Sequence, residues 1–102
     1  MKNAPNPMDE IKKRHRALAI LQQLEQSPRY RMNIDVLFDW LDNLALTVTR
    51  DRLVTECRAL EGVGFLVTEE SGEVVVLGLT EAGRDVCFGH LLSDLVQRPG
   101  PD

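Results

Sequence analysis

The run Thr49-Arg50-Asp51-Arg52, followed by Thr55 and Arg58 one and two helical turns on, is the main candidate in the chain for functional chemistry. A guanidinium is a planar fork of donors, so Arg50 or Arg52 could give two parallel hydrogen bonds to the edge of a guanine. Hydroxyls at Thr47 and Thr49, beside the unpaired backbone N–H groups of a helix start, suit a phosphate. A second basic group, Arg29-Tyr30-Arg31, could clamp a sugar-phosphate backbone. Its equal alternative is a core Tyr30 flanked by two solvated arginines. The plain alternative for the first group is an ordinary solvated helix face, with Arg52 and Glu56 as an i,i+4 ion pair.

Other chemistries find less support. Nucleophilic catalysis needs a Ser, Cys or Thr beside a base and an oxyanion site. The only histidines, His15 and His90, sit on predicted helices, and no glycine-rich elbow accompanies a nucleophile. The glycines at 62, 64, 72 and 78 are explained by a helix stop and a hairpin, not by a phosphate-cradling loop. An enzyme is therefore not expected. Cys87 and His90 lie three apart, but two ligands are too few for a closed zinc site, and nothing shows that Cys57 reaches them. Cys57 and Cys87 occupy apolar helix positions and read as reduced core residues. No metal or other cofactor is expected.

The elements that must position the candidate residues are legible from periodicity and caps. A first helix is predicted from about Asp9, with Ala17, Ile20, Leu21 and Leu24 on one face and Lys12, Lys13, Arg14 and Arg16 clustered in its first turns. Pro28 ends it. Asn33 caps a second helix over about 34–44, the most apolar element, with Asp35, Asp39 and Asp42 as a solvated edge. After the turn "ALTVT", Thr47 or Thr49 caps a third helix, about 50–62, whose Leu53, Cys57 and Leu60 make its buried stripe. Gly62 and Gly64 stop it. "FLVTEESGEVVVLGL" then reads as two strands about a tight turn, and Thr80 with Glu81 opens a last helix expected to run to about Val96. On that helix Val86, Leu91, Leu92 and Leu95 are the expected homodimer contact.

The order helix, turn, helix, two-stranded hairpin, helix is that of a winged helix-turn-helix domain, an α+β fold of mostly α content. One domain is expected over 9–96, with a frayed lead over 1–8 and a disordered tail over 97–102. At 102 residues a monomer would be marginal, so a homodimer is expected. No apolar run approaches the roughly 20 residues of a membrane span. The first eight residues lack the apolar stretch of a secretory signal, so a cytoplasmic protein is expected.

The net charge of −4 is unevenly placed. Residues 1–52 hold nine basic and seven acidic side chains, and residues 53–102 three and nine. A nucleic-acid surface must come from the first half and the start of the third helix, whose outward residues lie near the N-terminal end that reads bases in the major groove. Glu69, Glu70 and Glu73 on the hairpin would repel phosphates, so a wing tip in close contact with the backbone is not expected. The same acidic wing leaves a second reading open, a winged-helix adaptor that binds another protein and no DNA.

"TRDRLVTECRALEGVGFLV" followed by "LTEAGRDV" is similar to the recognition helix, wing and final helix of bacterial winged-helix regulators of the ArsR and MarR type. The wider order more closely resembles small winged-helix proteins of Mu-like prophages. Arg16, Ile20, Leu21, Leu24, Pro28, Tyr30, Asn33, Val36, Leu37 and Leu41 match that group's leading pattern, and the resemblance spans residues 14–99. It implies a phage-derived, DNA-binding protein of unassigned biological role; with the third helix read as a groove reader, a transcriptional regulator of prophage origin is expected. It carries over the recognition positions Thr49, Arg50, Asp51, Arg52, Thr55 and Arg58. The paired-cysteine helix motif of metal-sensing ArsR proteins is missing, which argues against a metal-sensing repressor.

Overall fold

Leu24, Leu37, Leu41, Leu53, Leu66 and Leu77 are fully buried, and they come from three helices and two strands that share one core. The structure, a computed structural model, describes residues 6–100. The first helix, α1, spans Pro7–Glu25. Asn6 caps it by accepting the Met8 N–H, and Pro7 sits where a missing N–H costs nothing. Pro7 and Met8 are thus already helical, while residues 1–5 of the expected lead lie outside the described residues. Its buried face is Arg16, Ala17, Leu18, Ile20, Leu21 and Leu24. Four of these are the apolar positions that the spacing predicts, and Leu18, at the margin of that face, is a fifth apolar one. The sixth is an arginine.

A tight 3-10 turn over Pro28–Tyr30, with Arg29 at φ 58° and Tyr30 at φ 60°, reverses the chain. It delivers a three-residue strand, β1 (Arg31–Asn33), that no alternation in the sequence announced. Helix α2 (Ile34–Leu41) follows directly, its cap Asn33 accepting the Asp35 N–H. The helix is shorter than expected, because Asp42–Leu44 tightens into a 3-10 turn ended by Ala45 in the left-handed region. Helix α3 (Arg50–Gly62) then crosses, and β2 (Leu66–Ser71) and β3 (Val74–Leu79) form the hairpin. Gly72 supplies the positive φ, 61°, at its tip.

All three strands pair antiparallel in the order β1-β3-β2, so the sheet has one strand more than the expected two-stranded wing. Three residues cannot show a period of two, and their partner lies from 47 positions away at Arg31↔Gly78 to 43 at Asn33↔Val76.

Helix α4 (Glu81–Cys87) is capped by the Thr80 hydroxyl, which accepts the Gly83 N–H. It ends nine residues before the expected Val96. Gly89, at φ 82°, stops it in a Schellman arrangement: Gly89 donates to the Val86 carbonyl and His90 to the Asp85 carbonyl. The apolar residues at 88, 91, 92 and 95 imitated a helical stripe past that glycine. Residues 88–100 return irregularly along α1, where the Gln97 N–H donates to the Arg14 carbonyl and Val96 is buried. Of the expected tail, 97–100 is described and 101–102 lies outside the described residues.

Candidate nucleic-acid interface

Thr49, with extended backbone, caps α3 by accepting the Arg52 N–H at 3.1 Å. Leu53, Cys57 and Leu60 turn inward, and this fixes which residues face out. Asp51, Thr55, Arg58 and Ala59 are exposed along one side. Thr47 is exposed in the turn before α3 and donates from its hydroxyl to an Asp42 carboxylate oxygen at 3.2 Å. From the sheet side, Glu61 accepts both the N–H and the hydroxyl of Thr68, which holds the wing against the far end of α3. Those two bonds also hold the Glu61 carboxyl below the usual glutamate range.

All the arginines of this surface but Arg29 are engaged by the protein's own carboxylates. Arg50 donates from Nε to Asp35 of α2 at 2.7 Å. Arg31 of β1 pairs with Glu69, and Arg58 of α3 pairs with Glu70, both carboxylates on β2. These three pairs are open to water on both sides, so each is weak and exchangeable. Arg29 is exposed on the turn before β1, with no ion pair among the described residues.

Arg52 is different. Its two terminal nitrogens fork onto Asp9 of α1 at 3.1 and 2.8 Å, and its Nε donates to Glu56 at 2.9 Å. Glu56 in turn receives two hydrogen bonds from the buried Arg16, at 2.6 and 2.8 Å, and Arg16 also reaches the Leu46 carbonyl at 3.2 Å. Charges alternate along Asp9, Arg52, Glu56 and Arg16, and the set binds the base of α3 to α1. The hydrogen bond from Arg52 draws the Asp9 carboxyl below its ordinary range, and the Asp9 bond raises the already high Arg52 value. Arg52, 37% exposed at its side chain, is thereby a positioning residue for α3 and not the free base-reading fork that the spacing suggested. The i,i+4 pair with Glu56, weighed as the plain alternative, is formed.

Sequence reasoning placed Arg16 in a basic cluster and missed its partner. A signal was present: Arg16 stands four and eight positions before Ile20 and Leu24, on the buried face, where a cation requires a carboxylate.

The residues expected to join two protomers separate into two groups. Val86 is 2% exposed in the core and cannot present itself to a partner, and Leu95 packs partly against that core. Leu91 and Leu92 are exposed, on the irregular segment after α4 and not on a helix. Burial pushes the Cys57 thiol up to about 12 and raises Cys87 as well, and the two thiols are free and buried. No group of three metal-ligating side chains gathers among the described residues, and no helix there is long and apolar enough to cross a membrane.

The helix, hairpin and strand order meets its counterpart in a solved structure. A MarR family transcriptional regulator from Streptomyces coelicolor, determined in complex with DNA, aligns with a TM-score of 0.61 over 76% of this chain at 22% identity. The fold is a winged helix. Helices α2 and α3 are its helix-turn-helix, β2 and β3 its wing, and β1 the third strand of its sheet. The chain spans about half of that regulator, 54% of its length, so the likeness is one of fold over the shared part. No family model and no curated protein matches the chain.

Proposed function

We propose that the protein is a DNA-binding transcriptional regulator that reads duplex DNA with the outward face of α3. The observation that carries this reading is that face itself. Asp51, Thr55 and Arg58 stand exposed in a row on a helix whose opposite side is locked into the core. A helix fits the major groove of B-DNA, and its N-terminal residues meet the base edges. Arg50 and Arg58 exchange their own carboxylates for a base edge or phosphate. Thr47, Thr49 and the first N–H groups of α3 lie against one phosphate, and Arg29 and Arg31 against the flanking backbone. The wing, with Glu69, Glu70 and Glu73, stays clear of the phosphates. The solved winged-helix neighbour was determined with DNA bound, which supports the same use of the shared fold.

On this reading the protein acts as a homodimer joined through Leu91 and Leu92, with Leu95 beneath them, and presents two α3 helices to half-sites roughly 34 Å apart. The resemblance of residues 14–99 to small proteins of Mu-like prophages extends the reading to regulation within a prophage. It requires neither metal nor cofactor.

Selection of bound sequences from random duplexes, followed by titration at several salt concentrations, tests the proposal. Affinity should fall steeply with salt, with a slope of about −0.9 per phosphate neutralised. Arg50→Ala with Arg58→Ala should abolish selective binding while leaving the melting curve in place. An enriched sequence that this double variant binds equally well removes α3 from the interface. Failure to enrich any sequence, with no salt-dependent binding, removes DNA as the partner.

A further inference from the structure

We infer that one flank of α2 is a docking surface for a basic amphipathic helix of a second protein. The surface does not depend on α3 reading DNA. Helix α2 buries Ile34, Leu37 and Leu41, which suffices to anchor it. Three further large apolar side chains remain in water: Val36 at 55% exposure, Trp40 at 38% and Leu44 at 43%. They recur at intervals of four, so along a helix and its closing turn they form one stripe about 12 Å long. Scattered apolar residues on a surface need no explanation, but three at this spacing, one of them the chain's single tryptophan, make the kind of anchor row that a partner helix fills.

Charge chooses the occupant. The crest beside the stripe carries Asp35, Asp39 and Asp42, all exposed, and residues 34–44 contain no lysine or arginine. Asp35 is met by Arg50 and Asp42 accepts the Thr47 hydroxyl, while Asp39 has no ion pair among the described residues. Three carboxylates in a row repel the phosphates of DNA. They equally repel themselves, so a symmetric pairing of two α2 flanks would set aspartates against aspartates across the two-fold axis. A helix with apolar residues at i, i+4 and i+7 and lysines or arginines on the adjoining edge satisfies both halves of the surface at once.

Selection of displayed random 16-residue peptides on the full-length protein tests the inference. Peptides basic on one edge and apolar at helical spacing should be enriched. Each, made synthetically, should shift the emission of Trp40 to shorter wavelength in a saturable way. Val36→Ser with Leu44→Ser, and separately Asp39→Lys, should weaken that binding at least tenfold; all three sites are exposed, and unchanged melting curves would show that the fold is kept. The inference is overturned if no peptide is enriched, if the enriched ones are acidic or extended, or if they bind the variants undiminished. A Trp40 shift that follows protein concentration without peptide would make a second copy of the chain the occupant. A shift on adding duplex DNA alone would make it nucleic acid. Either outcome also overturns the inference.

Discussion

Replacing Arg16 with methionine should strip the base of α3 of its deepest tether. Arg16 is 1% exposed and Glu56 7%, and three hydrogen bonds leave the guanidinium, two to Glu56 and one to the Leu46 carbonyl. Methionine fills much of the volume but leaves the buried Glu56 carboxylate with Arg52 as its remaining cation. Removing one partner of a buried pair costs about 3–5 kcal/mol. Because Arg52 still donates to Glu56 at 2.9 Å, the low end, about 3 kcal/mol, is expected. That is a large share of the roughly 5–15 kcal/mol that holds a domain of this size. It should lower the melting temperature by about 12–24 °C. The decisive arm is Arg16→Met with Glu56→Met. No carboxylate is then stranded, Arg52 keeps its fork on Asp9, and much of the loss should return. Urea and thermal unfolding followed by circular dichroism read both variants. If the single variant costs less than about 1 kcal/mol, or the double costs as much as the sum of two independent losses, the buried network is not what holds α3 to α1.

Four more outcomes follow from the same geometry. Glu69→Gln and Glu70→Gln release Arg31 and Arg58 from their exposed partners, so in a filter or gel assay each should tighten binding to a selected duplex by about two- to fivefold; weaker binding would mean that the pairs hold the surface in its reading shape. Asp9 and Glu61 are drawn below their ordinary 3.8 and 4.5, so their hydrogen bonds add stability above those values, and the urea midpoint should fall as pH drops through about 4 and below. Asp9→Asn should flatten that acid limb. Cys57, pushed up to about 12 from 9.0, acts at the other end: the unfolded thiol ionises first, so stability should decline as pH climbs above 9, and Cys57→Ala should remove that part of the slope. A Cβ at Gly83 would lie 1.9 Å from the Phe65 carbonyl oxygen, so Gly83→Ala must push α4 off the hairpin. A loss of at least about 1–3 kcal/mol is expected, and an unchanged melting curve would refute that close packing.

The local signals in the chain were sufficient for the helix-turn-helix and the wing. Asn33, Thr49 and Thr80 each accept an N–H from the first turn of their helix, and Leu53, Cys57 and Leu60 face inward as their spacing requires. Such features are legible because they are set by residues two to seven positions apart. Gly89 was a local signal too, outweighed by the apolar rhythm that continued beyond it. Other properties of the surface were settled only when distant segments met. Strand β1 exists because β3 offers it an edge. Arg52, read as a free fork, is claimed by Asp9 from 43 positions away, and Glu56 by Arg16 from 40. Val36, Trp40 and Leu44 are apolar like their buried neighbours, and only packing decided that they face water. Periodicity tells which residues share a side of a helix; which side another segment covers, and which carboxylate answers which arginine, is a matter of tertiary contact, because charge pairing and burial depend on distance in space and not along the chain.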